Sequence, residues 1–125
     1  MNNTTLKNIL SNKDKTKYHF HFVGIGGVSM YGLAIFLFEL GHKISGSDTQ
    51  YSQNVKNLIK MGINVENRHK KTNVVGANFV IYSYAVENNI EVKEAKRQKI
   101  KRTKIFPSFV ILSHTSDFLR GIIIM

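Results

Sequence analysis

The sequence predicts an α/β fold: a three-layer sandwich around a mainly parallel sheet of about five strands. Three observations predict it. Short apolar runs of strand character alternate with stretches of helical periodicity along the chain. A strand, a glycine turn, a helix and a second strand follow without a break from Tyr18 to Asp48. Further on, Asn78–Ser83 carries Phe79, Val80 and Ile81 in a row, the pattern of a strand buried on both faces.

Taken in order, residues 1–17 are polar and hold four lysines, which predicts a flexible polar leader. Leu6, Ile9 and Leu10 offer at most one short amphipathic turn. The domain proper is expected over residues 18–120. Its first strand is predicted at His19–Val23, with His19 and His21 on one face because strand side chains alternate. With no carboxylate or third nitrogen near them in sequence, these are read as packed or half-buried imidazoles rather than metal ligands. Gly24-Ile25-Gly26-Gly27 forms the turn. The helix from Val28 to Leu40 is apolar nearly all round, so it is expected to be sandwiched. Gly32 inside it costs about 1 kcal/mol against alanine, and a close helix–sheet approach would account for that. Gly41 ends the helix in a left-handed cap.

The second strand is predicted at His42–Gly46, leaving Ser47 and Asp48 at its carboxyl edge. Val55, Leu58 and Ile59 give the helical spacing of Ser52–Met61, which Gly62 closes. Ile63–Val65 reads as a short strand. His69 follows in a basic loop with Arg68, Lys70 and Lys71. After the strand at Asn78–Ser83 come Tyr84 and Ala85, again at a carboxyl edge. Asn89–Lys99 is a basic helix with an apolar face of Ile90, Val92 and Ala95, and Thr103–Phe106 is a further strand. Pro107 suits the first turn of another helix. Residues 121–125, Gly-Ile-Ile-Ile-Met, read as the start of a hydrophobic strand.

A glycine turn lets the backbone approach a phosphate, because no Cβ intervenes. The N–H groups and dipole of the following helix favour an anion there. A carboxylate at the end of the second strand can accept hydrogen bonds from a ribose. The unit therefore asks for a nucleotide or a nucleotide-linked ligand, in a Rossmann-like setting. Ser29 stands where the dinucleotide fingerprint has its third glycine. Asp48 is open to two roles on local sequence, ligand contact or cap of the next helix.

Composition narrows the classes. The chain of 125 residues fits one domain, and its hydrophobic content of 42% can build a core. It has no cysteine, so disulfides and thiolate metal sites are excluded. No apolar run reaches the roughly eighteen residues of a membrane span, and no signal-peptide core opens the chain, so a cytoplasmic protein is expected. The net charge is +10, yet of 18 basic residues 14 are lysine and only 4 arginine, and no aromatic platform accompanies them. Nucleic acid is therefore not an expected partner. Ser113-His114 and Ser116-Asp117 are sequence neighbours without an oxyanion turn or nucleophile elbow, which argues against a hydrolase triad.

The run His21-Phe22-Val23-Gly24-Ile25-Gly26-Gly27-Val28-Ser29-Met30, then Gly32-Leu33-Ala34, Leu40-Gly41 and Ser45-Gly46-Ser47-Asp48, resembles the amino-terminal domain of the Mur ligases of peptidoglycan synthesis. Asn67-Arg68-His69 stands at the family's Gly-His pair, and Val80–Val86 at a strand ending Ser-Ser-Ala-Ile, with Tyr84 in place of the second serine. The resemblance covers about Tyr18 to Ile100. It implies a domain that binds UDP-N-acetylmuramate. The implied binding residues are Gly24, Ile25, Gly26 and Gly27 for the diphosphate, Ser47 and Asp48 with Ser83 for the nucleoside end, and His69 in support, with Ala85 also implied to bind the UDP-sugar. It implies an ATP-dependent ligase that adds L-alanine to that sugar, with ATP and Mg2+ bound outside this chain and no catalytic or metal residue within it. In the family, the strand matching residues 121–125 runs into the ATP phosphate loop, so these residues are expected to lead toward a central ATP-binding domain. A monomer or weak dimer is expected. The rival readings are a ligase of the same family that recycles murein tripeptide, and an NAD(P)-binding oxidoreductase or sensor domain.

Overall fold

The computed structural model describes residues 8–9, 11–13, 15–83 and 88–105. Its elements run β1 (His19–Val23), α1 (Val28–Glu39), β2 (Lys43–Ser47), α2 (Gln53–Lys60), β3 (Asn64–Glu66), a 3-10 helix (Lys71–Val74), β4 (Phe79–Ser83), α3 (Ile90–Arg97) and β5 (Lys101–Ile105). The strands form one five-stranded sheet in the order β3-β2-β1-β4-β5, and every pairing is parallel. The expected α/β architecture and strand number are thus observed. Chain direction across the sheet reverses between β1 and β4, and α/β sheets bind ligands outside the strand ends at such a point.

The two faces of the sheet carry different layers. α1 packs with α2, and the 3-10 helix packs with α3. β1 explains the division, since alternation sends His19 and His21 to one face and Phe20 and Phe22 to the other. On the aromatic face the Phe20 and Phe79 rings, paired in register, stack with centroids 4.9 Å apart. Burying such a ring contributes about 1.5–3 kcal/mol. Leu33, Ala34 and Leu37 of α1 and Leu58 of α2 complete this core.

Several expectations need correction. Helix α1 buries only Ser29, Met30, Leu33, Ala34 and Leu37, and Val28 is exposed, so one stripe rather than the whole circumference is covered. Gly32 lies on the exposed side, and a Cβ there would meet no atom within 4 Å. No close approach explains this glycine. Helix α3 buries Glu91, Val92, Glu94 and Ala95, while Ile90 is exposed. Its inner face is therefore partly acidic, a pattern apolar periodicity cannot detect. The 3-10 helix was not anticipated. Ile9, in the stretch expected to be a polar leader, is fully buried in the core. The helix after Pro107 and the strand at 121–125 lie outside the described residues. No helix among the described residues is long and apolar enough to cross a membrane.

Candidate functional site

The glycine turn closes against the end of β2. The Ser47 carbonyl accepts N–H groups from Gly24 (2.8 Å) and Ile25 (3.1 Å), and Gly27 N–H bonds back to the Gly24 carbonyl at 3.1 Å. Gly24 sits at φ +77°, a backbone state that side chains with a Cβ resist. Gly26 is required by space: a Cβ there would fall 2.8 Å from Val55 Cγ2 and 2.9 Å from Asp48 Oδ2. The turn is thus wedged between two structures, the end of β2 and the start of α2.

Asp48 holds this wedge. Its Oδ2 accepts the Gly26 N–H at 2.8 Å and its Oδ1 the Gln50 N–H at 2.9 Å. The cap of α2 is Ser52, whose hydroxyl accepts the Val55 N–H at 3.3 Å. The capping role considered for Asp48 therefore falls to Ser52. Asn54 adds a further tie, donating to the Gly26 carbonyl at 3.0 Å.

Helix α1 begins on the same rim. Gly27 is its N-cap, no side chain caps it, and no acidic residue lies in its first turn. The first N–H groups of a helix lack partners within the helix, and the dipole there attracts negative charge. A cavity of about 340 Å³ opens at this end. Gly24, Gly26, Gly27, Ser29, Asp48, Gln50, Ser52 and Ser83 line it. Of the residues singled out in the sequence, the structure thus brings Gly24, Gly26, Gly27, Asp48 and Ser83 to one rim.

Others go elsewhere. The Ile25 side chain is fully buried and packs against Gly46, where a Cβ would lie 2.6 Å from Ile25 Cβ. The Ser47 side chain is fully buried, and alternation places it on the face opposite the turn. Its hydroxyl donates to Glu91 Oε1 at 2.8 Å and meets His69 Nδ1 at 2.8 Å. Neither Ser47 nor His69 lines the rim cavity. Ala85 lies outside the described residues.

Sequence reasoning missed the centre of this second cluster, Glu91. His21 Nε2 lies 2.6 Å from Glu91 Oε1. Lys70 N–H (3.0 Å) and the Asn73 amide (2.9 Å) donate to Oε2, which also lies 3.3 Å from His69 Nδ1. On its other side, His21 Nδ1 meets the Ser45 hydroxyl at 2.9 Å, and His19 Nε2 meets the same hydroxyl at 2.7 Å. Burial alone would raise the Glu91 pKa, but hydrogen bonds from His21, Asn73 and Ser47 outweigh it and hold the carboxyl below its ordinary value. Burial, helped by Lys43 and His21, lowers the His19 pKa. A second cavity, about 380 Å³, lies beside His19, His21 and Asn73 on this face. His21 and His19 are buried and half-buried imidazoles as expected, but with a carboxylate the sequence separates from His21 by 70 positions.

Fold and rim together define a Rossmann-like domain on the plan of nucleotide-binding α/β proteins. The chain belongs to the Mur ligase family: residues 19–105 match the family described as "Mur ligase family, catalytic domain". It is 43% identical over 91 residues to a UDP-N-acetylmuramate–L-alanine ligase of Campylobacter curvus, covering 70% of this chain and 21% of that protein. It is 45% identical over 82 residues to the protein of the same name from Aquifex aeolicus, covering 65% of this chain and 18% of that one. A solved UDP-N-acetylmuramate–alanine ligase from Thermotoga maritima superposes with a TM-score of 0.67 at 30% identity, over 70% of this chain and 20% of that one. A murein peptide ligase from Psychrobacter arcticus shares the fold with a TM-score of 0.63 at 24% identity. The chain spans about a fifth of the length of the relatives it matches.

Proposed function

We propose that this chain is the UDP-N-acetylmuramate-binding domain of a ligase that joins L-alanine to that sugar nucleotide. The observation that carries the proposal is the rim at the carboxyl ends of β1, β2 and β4. An uncapped helix N-terminus faces a cavity there, between a glycine turn and a strand-end carboxylate. The named relatives are ligases of this substrate pair by their names, and the matched segment contains the whole rim.

In this reading the diphosphate lies over Gly24, Gly26 and Gly27 against the first turn of α1, where the dipole offsets its charge. Asp48 and Ser83 face the nucleoside end. Asp48 has a second task, because it already holds the Gly26 N–H. A ribose hydroxyl donating to Asp48 would leave the Gly26 N–H free to turn toward a phosphate. Ile25 contributes by packing, and Ser47 and His69 contribute from behind the rim rather than by contact.

The domain binds and positions; it supplies no reacting group. Fixing the sugar's carboxylate against the rest of the enzyme converts an encounter into a defined geometry. ATP and Mg2+, which would activate that carboxylate, belong in this proposal to parts of the enzyme outside this chain, as does selection of L-alanine. A cytoplasmic location follows from the substrates.

Parallel calorimetric titrations with UDP-N-acetylmuramate, UDP and NAD test the reading. Saturable binding of the two uridine ligands, with NAD inert, is the expected result. Binding of NAD without UDP would replace the proposal with an oxidoreductase or sensor domain. Asp48→Asn should weaken the uridine ligands by about tenfold, the worth of one charge-assisted hydrogen bond.

A further inference from the structure

We propose that Glu91, which touches no part of the rim cavity, is the positioning residue that holds the rim in its binding shape. The inference rests on the reading of the rim as a UDP-sugar site. The chain of contacts is short. Glu91 Oε1 accepts the Ser47 hydroxyl at 2.8 Å. The Ser47 carbonyl in turn accepts the Gly24 and Ile25 N–H groups. The next residue, Asp48, accepts the Gly26 N–H at 2.8 Å. These three hydrogen bonds from the glycine turn to the end of β2 and the residue after it thus fall on two acceptor residues, one of which Glu91 grips by its side chain.

The same carboxylate grips a second loop. Its Oε2 accepts Lys70 N–H and the Asn73 amide and lies 3.3 Å from His69 Nδ1. That loop follows β3, and the Asp48 N–H bonds to the Glu66 carbonyl of β3 at 3.0 Å. Glu91 therefore ties α3, the end of β2 and the loop after β3 at one point, from the side of the sheet opposite the turn.

The chemistry of the hub favours a carboxylate over any uncharged residue. The Ser47 hydroxyl, the Lys70 N–H and the Asn73 amide donate to the two oxygens, and the facing ring nitrogens of His21 and His69 become donors in the tautomers that put their proton there. An ionised carboxylate accepts from all of them and donates to none. Glutamine of the same size would present an NH2 to a ring of donors, leaving at least one buried group unsatisfied. Full ionisation is consistent with the depressed pKa.

Two variants and two readouts test this. In Glu91→Gln, amide hydrogen exchange at Gly24, Ile25 and Gly26 should accelerate by about tenfold relative to the β4 amides Val80–Tyr82, and UDP-N-acetylmuramate affinity should fall by about tenfold. Ser47→Ala, which removes the hydroxyl that links the hub to β2 together with its contact to His69 Nδ1, should reproduce both changes and keeps the test open if the glutamine variant does not fold. The double variant should cost no more affinity than Glu91→Gln alone, since both act through one link. A merely structural role for Glu91 would speed exchange evenly across the sheet, and that outcome overturns the proposal. So would unchanged exchange at the turn in either folded variant. The exchange experiment needs no ligand, so failure of the parent chain to bind the sugar nucleotide would refute the reading of the site and leave the hub separately judged.

Discussion

The two faces of the sheet are built from the same strands and hold together by different means. One face buries Phe20, Phe22 and Phe79 beneath α1 and α2. The other buries His21, Ser45 and Ser47 against Glu91 of α3 and beneath the 3-10 helix. Apolar packing is non-directional and depends on area removed from water. A buried polar cluster is directional: when satisfied it selects one arrangement, and when broken it leaves costly orphans. The aromatic face thus relies on apolar packing, whereas the other adds to its own apolar contacts, Val80 and Val92 among them, a polar cluster that fixes how the loops at the strand ends sit. The binding rim lies where the two meet, at the end of β2.

Four changes would break or sharpen that contrast. The largest effect is expected on the aromatic face. Phe20→Ala removes a fully buried ring stacked on Phe79 and should cost about 3–5 kcal/mol in urea unfolding. Ser45→Ala removes the hydroxyl that joins His19 and His21, and should cost about 1–3 kcal/mol. If Ser45→Ala cost as much as Phe20→Ala, the polar face would be a major source of stability and the contrast would fail.

Acid should act on the polar face. His19 and Glu91 both have folded pKa values below their ordinary ones, so each contributes stability that is full above the ordinary value and lost as pH falls through the lowered one. The melting temperature should therefore fall in two stages, below about 6.5 for His19 and below about 4.5 for Glu91. His19→Asn should flatten the first stage only, whereas Phe20→Ala should lower the whole curve and keep both stages. Glu94, whose carboxyl Arg97 and Gln98 hold at about 2, adds to the second stage. The smallest effect lies on neither face. Gly32→Ala, on the outside of α1 with open space at its Cβ, should stabilise the chain by about 0.5–1 kcal/mol. A loss instead would show that this side of α1 is in contact.

This contrast also explains what could be read from the sequence. The rim is local: Gly24, Gly26, Gly27 and Asp48 lie within one strand–turn–helix–strand unit, and their order alone announces them. Strand positions were legible for the same reason, since periodicity survives in short windows. The polar hub is not local. His21, His69 and Glu91 come from three distant stretches, and Glu91 sits in a helix that reads as basic with an apolar face of Ile90, Val92 and Ala95. Ser47 was misplaced by one strand alternation: as the neighbour of Asp48 it looked like a rim residue, but its side chain leaves by the opposite face. The 3-10 helix was missed because its sequence, Lys-Thr-Asn-Val, has no periodicity to read.

The most direct test of the central claim is an NMR titration of the chain with UDP-N-acetylmuramate, read amide by amide. The account expects the largest shifts at Gly26, Gly27, Ser29, Asp48 and Ser83, with His19 and Thr72 beside the polar-face cavity moving little. Shifts concentrated at His19, Ser45 and Thr72, with the glycine turn unmoved, would place the ligand on the wrong face of the sheet and contradict it.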